Sequence, residues 1–233
     1  MGKYLAIIPA RLGSKRIPKK NIKNFRGKPI IAWSIEAAKT AGIFDTIMVS
    51  TDSTEISDIA IHYGAEIPFF RSDKCSDDFA TITDVLTEVI SQYEASGMSF
   101  EAACCIYATA PFVTHQHLME GLTLLKKSEH TAVFPVTPFG YPIERAFVRD
   151  KLGNIKFRNP DFVNARSQDI PTAYHDAGMW IWFKPDCLKV ADKLFSGKTG
   201  SIVVPESHAH DIDTMVDWEI ATLKHQILFP NLN

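Results

Sequence analysis

The 233-residue chain has no apolar run approaching the ~20 residues that a membrane-spanning helix needs. Its N-terminal apolar stretch, Tyr4 to Ala10, is too short for a signal peptide and runs straight into Arg11. The N-terminus lacks the Ser or Thr of a myristoylation site, and no Asn-x-Ser/Thr glycosylation acceptor occurs. Cysteine is scarce. Cys75, Cys104, Cys105 and Cys187 contain no Cys-x-x-Cys pair and read as small buried hydrophobes in a reducing compartment. An excess of one charge is also missing: Lys plus Arg number 25 and Asp plus Glu 27, a formal net charge of −2. That balance disfavours nucleic acid or an anionic membrane as the main partner. Together these absences lead to the expectation of a cytoplasmic protein. Two common nucleotide-binding signatures are absent as well. There is no Gly-x-Gly-x-x-Gly, and Gly197-Lys198-Thr199 has Asp192 where a phosphate-binding loop needs its first glycine.

What is present is an ordinary globular composition, 45% apolar and 22% charged, too apolar for a disordered chain. The length suits a single domain over 1–233. Tyr4 to Ala10 reads as a strand buried on both faces. Pro29 fits a helix start, with Ile31, Ile35 and Ala38 at helical spacing up to Gly42. Thr46 to Thr51 reads as a second buried strand, Ser53 as the cap of a helix closed by Gly64, and Glu66 to Phe70 as a short strand. Ile82, Val85, Leu86, Val89, Ile90 and Tyr93 form an amphipathic stripe that ends before Gly97. Ala102 to Tyr107 predicts a strand, Leu118, Leu122 and Leu125 a helix, and Thr131 to Thr137 a strand. This alternation predicts an α/β domain with a largely parallel sheet and helices on both faces. From 138 to 170 the pattern breaks at Pro138, Pro142 and Pro160, with a hairpin turning at Asp150 to Gly153, and the segment is expected to project. Ala177 to Phe183 and Ile202 to Val204 return to strand, and Trp180, Trp182 and Phe183 are expected in the core. Val216, Ile220, Leu223 and Ile227 form a last helical stripe.

The most informative segment follows the first strand, where an open α/β sheet binds its ligands. Between Pro9 and Asn21 it carries Arg11, Lys15, Arg16, Lys19 and Lys20 around Gly13 and Ser14. Cations this dense repel one another unless an anion sits among them. A small Gly-Ser turn lets backbone N–H groups point at that anion. A nucleoside triphosphate is the natural ligand; the alternative is a solvated basic loop. Near the other end stands His208-Ala-His-Asp-Ile-Asp-Thr214. Asp211 and Asp213 share a face of an extended segment and suit Mg²⁺ together with phosphate oxygens. Helix capping by Thr214 and Asp217 is the competing explanation, and a zinc cluster lacks a third His or Cys. A cation-rich loop on the β- and γ-phosphates and a carboxylate-bound Mg²⁺ at the α-phosphate specify nucleotidyl transfer with pyrophosphate release.

The string Ile8-Pro-Ala-Arg-x-Gly-Ser-Lys-x-Ile-Pro-x-Lys-Asn21 resembles the signature of the cytidylyltransferases that activate acidic sugars, the CMP-sialic acid synthetase family. Val49-Ser-Thr-Asp52, Arg71 with Ser76-Asp-Asp78, and Ile212-Asp213-Thr214 after Asp211 follow in the family's order along the whole chain. The resemblance implies a Rossmann-like, mostly parallel mixed sheet of the nucleotide-diphospho-sugar transferase type. It implies a homodimer too, with 138–170 as the dimerisation arm. Arg11, Ser14, Lys15, Lys20 and Asn21 would bind the CTP phosphates, with Lys20 the main stabiliser of charge on the α-phosphate. Pro9, Ala10 and Arg71 would contact cytosine, Asp78 would lie on the nucleotide side, and Asp211 and Asp213 would carry Mg²⁺. The nucleophile would be the anomeric hydroxyl of an acidic nine-carbon sugar.

Departures from the family pattern fall on the sugar side. Sialic acid enzymes read Leu-Gln-Pro-Thr-Ser-Pro where this chain has Ile106-Tyr-Ala-Thr-Ala-Pro111, so Tyr107 replaces a Gln that contacts sugar, with Thr109 nearby. Where the family reads Phe-Arg-x-Asn-Gly, this chain has Tyr174-His-Asp-Ala-Gly178. The string Arg166-Ser-Gln-Asp-Ile-Pro-x-Ala-Tyr-His-Asp-Ala-Gly178 resembles the pseudaminic acid branch, whose sugar carries two acylamido groups and serves bacterial surface-glycan or flagellin glycosylation. Arg166 is the candidate for the sugar carboxylate, since a planar guanidinium binds carboxylate bidentately. Gln168 and His175 are candidates for acylamido or hydroxyl groups, with a structural histidine as the alternative at 175. The same reaction on legionaminic or N-acetylneuraminic acid, the 3-deoxy-manno-octulosonate enzymes, and a non-catalytic nucleotide-binding regulator are the competing readings.

Overall fold

The computed structural model describes residues 3–231 apart from 15, 78, 190–192 and 197. The chain runs through β1 (Tyr4–Pro9), a small hairpin of β2 (Asn24–Phe25) and β3 (Lys28–Pro29), α1 (Ile30–Ala41), β4 (Thr46–Ser50), α2 (Thr54–Tyr63) and α3 (Asp73–Ser76). It continues through α4 (Ile82–Ala95), β5 (Ala102–Ile106), α5 (His115–Lys127) and β6 (Ala132–Pro138). An irregular excursion then carries β7 (Phe147–Arg149) and β8 (Ile155–Phe157) before β9 (Tyr174–Asp176), β10 (Trp180–Phe183), α6 (Lys193–Ser196), β11 (Thr199–Val203) and α7 (Met215–Leu228).

The helices begin where side chains satisfy their free N–H groups. Ser53 Oγ accepts the Ile56 N–H, and Thr81 with Asp84 and Thr214 with Asp217 form reciprocal capping boxes. The main sheet has the order β11-β6-β10-β5-β1-β4. β1 pairs in parallel with β4 and β5, and β6 with β11, whereas β10 runs antiparallel between β5 and β6 and β9 antiparallel to the far end of β6. The sheet is therefore mixed: β1, β4, β5, β6 and β11 run one way, and β9 and β10 run against them.

Strand periodicity divides the core into two layers. Leu5 and Ile7 of β1 face α4, and Ala6 and Ile8 face α1 and α5. Trp180, Trp182 and Phe183 are buried in the core as expected, the two tryptophans on the α5 side and Ile181 and Phe183 on the other. Each large apolar side chain buried this way contributes roughly 1.5–3 kcal/mol. Gly121 lets α5 approach the tryptophans: a Cβ there would meet Trp180 Cη2 at 2.5 Å and Trp182 Cδ1 at 2.6 Å. The four cysteines are buried and free. The hairpin expected at 150–153 is the β7–β8 turn.

Two expectations are corrected. Residues 66–70 form no strand beyond a single bridge from Glu66 to Met48, because Pro68 has no N–H to extend a ladder. The stripe on α7 does not face the core. Val216, Leu223 and Ile227 are 63%, 60% and 79% exposed, while Trp218, Ala221 and His225 are buried. Trp218 and His225 pack edge-on against Phe25, and the small Ala221 between them allows the approach.

Candidate active site

The site forms at the carboxyl edge of β1, β4, β5 and β6, where the reversed strands β9 and β10 begin. The loop after β1 is pinned by fully buried Ile17 and ends in a 3₁₀ turn at Lys20–Ile22. Within it the Ser14 N–H bonds Leu12 O at 2.8 Å, and Asn21 Nδ2 donates to Arg11 O at 2.8 Å. Asn21 thus braces the loop from inside. Behind it, the left-handed Arg26 (φ 49°) reaches α7, where Nη1 donates to His225 Nδ1 at 2.9 Å and to the His225 and Phe229 carbonyls at 3.1 and 2.9 Å. Burial, then the Arg26 charge, pushes the His225 imidazole down to about 4, so the ring is neutral.

Pro9, Arg11, Ser14, Lys20, Tyr107 and Thr109 line one cavity of about 340 Å³. Lys20 Nζ crosses from this loop to the chain's acidic end, donating to Ile212 O at 2.6 Å and lying 3.4 Å from Asp213 Oδ1. Arg16 Nη2 approaches the same oxygen at 2.8 Å. Lys19 turns away and pairs with Glu55 at 2.7 Å. The crowded cations are thus partly balanced by protein carboxylates, with Asp213 at the centre. Arg11 Nη1 donates to Asp77 O at 3.0 Å, which ties the loop to residues 72–80.

Buried Ile212 separates Asp211 from Asp213 and turns both carboxylates outward, while the capping is done by Thr214 and Asp217. These hard oxygen donors suit a divalent cation. Among the described residues no third His, Cys, Asp or Glu joins them, so a cation held there would need further ligands from outside the chain.

The other expected residues are distributed unevenly. Ala10 is buried at the end of β1, and its N–H bonds Ser50 O at 2.9 Å. Arg71 is buried, its Nε 3.0 Å from Ser50 Oγ, and lies beside β4 rather than in the loop cavity. Tyr107 is held by its N–H to Met179 O at 3.0 Å, and burial drives its hydroxyl well above the usual tyrosine value. His175 packs against Phe139 at 4.7 Å and shares a second cavity, of about 270 Å³, with Asp211. Arg166 and Gln168 are exposed on the projecting segment and line neither cavity. Lys15 and Asp78 lie outside the described residues.

Two residues that the sequence reading passed over line the second cavity, Thr137 and Asp176. Burial, with Asp211 adding to it, raises the Asp176 carboxyl above its ordinary value. The signal for Asp176 was its spacing to Gly178, whose N–H bonds Asp176 Oδ1 at 2.8 Å in a tight turn.

A Rossmann-like sheet whose carboxyl edge sets a cation-rich loop against a pair of carboxylates is the framework of a nucleotidyltransferase. The Cytidylyltransferase family profile matches residues 5–174, and the chain belongs to that family. It is 39% identical over 225 residues to the pseudaminic acid cytidylyltransferase of Campylobacter jejuni, covering 97% of each chain. It is 28% identical to the CMP-N,N'-diacetyllegionaminic acid synthase of Legionella pneumophila, covering 94% of each. Among solved structures, CMP:2-keto-3-deoxy-manno-octonic acid synthetase complexed with CTP has the same fold. The TM-score is 0.70 at 16% identity, over 95% of this chain and 97% of that one. Cytidylyltransferases of this kind generally use a divalent metal. No helix among the described residues is long and apolar enough to cross a membrane.

Proposed function

We propose that this enzyme transfers CMP from CTP to the anomeric hydroxyl of pseudaminic acid, releasing pyrophosphate. The observation that carries the reading is the Lys20 Nζ contact to Ile212 O at 2.6 Å, which joins the phosphate loop to the Asp211–Asp213 segment across 192 residues of sequence. The similarity to pseudaminic acid cytidylyltransferases over nearly the full length supports the choice of sugar.

In this reading Arg11, Ser14, Lys15, Lys20 and Asn21 hold the triphosphate. Lys20 balances the charge that builds on the α-phosphate, a role in which a fixed cation is most effective. Ala10, Pro9 and Arg71 frame the cytosine, and Asp78 belongs to the same side. Asp211 and Asp213 hold Mg²⁺, which supplies charge neutralisation at the α-phosphate when bound. Arg16 and Lys20 both approach Asp213, so a bound triphosphate takes the place of one anion between the same cations. Tyr107, Thr109 and His175 lie toward the sugar.

Arg166 and Gln168 sit on the 138–170 segment, away from the loop cavity of their own chain. That segment exposes Tyr141 and Leu152 almost fully, with Phe147 and Ile155. We propose it as the dimerisation arm of a homodimer. Pyrophosphate release with CTP, Mg²⁺ and pseudaminic acid tests the activity, and sedimentation tests the dimer. Absence of release removes the reaction, and a monomer at micromolar concentration removes the arm.

A further inference from the structure

The second cavity contains a hydrogen-bonding group with nothing to bond. Thr137 is 2% exposed and lines this cavity, and its Oγ1 has no partner among the described residues. A buried hydroxyl left unpaired is destabilising, and such a group calls for a reason. The β6–β9 ladder sets Thr137 across from His175 and Val136 across from Asp176. The turn at Gly178, in the left-handed region at φ 65°, then folds the Asp176 carboxylate back over its own backbone. Asp176 makes no ion pair among the described residues, and it shares the cavity wall with Asp211.

Of the other polar groups in the wall, His210 Nε2 also has no hydrogen-bond partner among the described residues and lies 3.8 Å from Asp217, and the rest are committed or acidic. Lys224 Nζ is bound by the Glu206 and Ala209 carbonyls at 2.9 and 3.2 Å. Glu206 and Asp211 add two more carboxylates to Asp176. Such a wall repels a carboxylate and accepts hydrogen bonds from neutral donors. The cation-rich loop lines a separate cavity and meets the neighbouring Ile212 and Asp213 instead.

We propose that Thr137 and Asp176 are specificity-determining residues that read the N–H and O–H donors of an acylamido-substituted sugar. The acidic wall turns the sugar's own carboxylate away from this cavity. The proposal rests on the acidic-sugar reading given above and assigns the sugar's donors, not its carboxylate, to this cavity.

The test measures steady-state kinetics with CTP and pseudaminic acid for the wild type, Thr137→Val, Thr137→Ser and Asp176→Asn, together with thermal melting of each. Thr137→Val removes a hydroxyl that has no partner among the described residues. Its melting temperature is expected to hold or rise while the KM for sugar rises about tenfold and the KM for CTP stays put. Thr137→Ser restores the hydroxyl and is expected to restore the KM for sugar. Asp176→Asn is expected to raise the KM for sugar by a similar factor, again without effect on CTP. An unchanged KM for sugar in Thr137→Val and Asp176→Asn overturns the proposal. So does an equal rise for both substrates, or a fall in kcat alone. If Thr137→Val does not fold, Asp176→Asn decides by the same criteria. Wild type inactive on pseudaminic acid removes the sugar reading itself, an outcome distinct from active wild type with indifferent variants.

Discussion

The loop over residues 9–21 and the wall made by residues 137–140 and 174–178 face the same Asp211–Asp213 segment, yet they are made in opposite ways. The loop is contiguous in sequence, pinned by buried Ile17 and braced by Asn21, and its Arg16, Lys19 and Lys20 are matched by Asp213 and Glu55. The wall is drawn from the end of β6, from β9 and from a turn, and among the described residues it holds a hydroxyl without a hydrogen-bond partner and a carboxylate without an ion pair. On the proposed reading, the half assigned to the nucleotide has Arg16, Lys19 and Lys20 paired with carboxylates, whereas the half assigned to the sugar keeps polar groups without such pairs. A protein that keeps one donor substrate and varies the acceptor needs that division, because unpaired polar groups reject an acceptor that cannot satisfy them.

The comparison can be broken at several points, the largest effect first. His225 anchors the nucleotide half through Arg26. Its folded value is about 4 against 6.5 unfolded, so below pH 6.5 the unfolded chain takes up a proton that the folded chain refuses. The His225 contribution is expected to be level above pH 6.5 and to fall by on the order of 3 kcal/mol as the pH drops to 4. Urea unfolding across this range should show a shallower loss in His225→Gln than in wild type; identical slopes would remove His225 as the cause.

Lys20→Ala should lower kcat about 10²-fold or more, as expected for a preorganised charge, in a pyrophosphate-release assay. Wild-type turnover in that variant would take Lys20 out of the reaction. Asp211→Asn should weaken the Mg²⁺ response about 10- to 100-fold with the fold retained. An unaltered Mg²⁺ titration would leave the pair with no metal role. Tyr107→Gln is expected to shift the KM for sugar by only about 3- to 10-fold and leave CTP alone. Equal loss for both substrates would make position 107 structural.

The same contrast governs how much could be read from the sequence. The first strand, the caps at Ser53 and Thr214 and the loop cations were legible because their physics is local: apolar runs, side chains that bond the next turn, and crowded charge. The reversal of β10 was not, since a run buried on both faces carries no record of its direction. On α7 the periodicity gave a stripe, but the packing of Trp218 against Phe25 decided which face is buried. Arg166 and Gln168 were singled out by their chemistry, and no local pattern could say that they lie on a segment away from the loop cavity of their own chain. Thr137 drew no notice because its significance is the absence of a partner, which only the fold reveals.

The most direct test of the account is pyrophosphate release with CTP and Mg²⁺, run side by side with pseudaminic, legionaminic and N-acetylneuraminic acids. The account predicts release with strong preference for pseudaminic acid. Turnover with another of these sugars alone would keep the nucleotide half and contradict the sugar assignment, and no release with any of them would contradict the central claim.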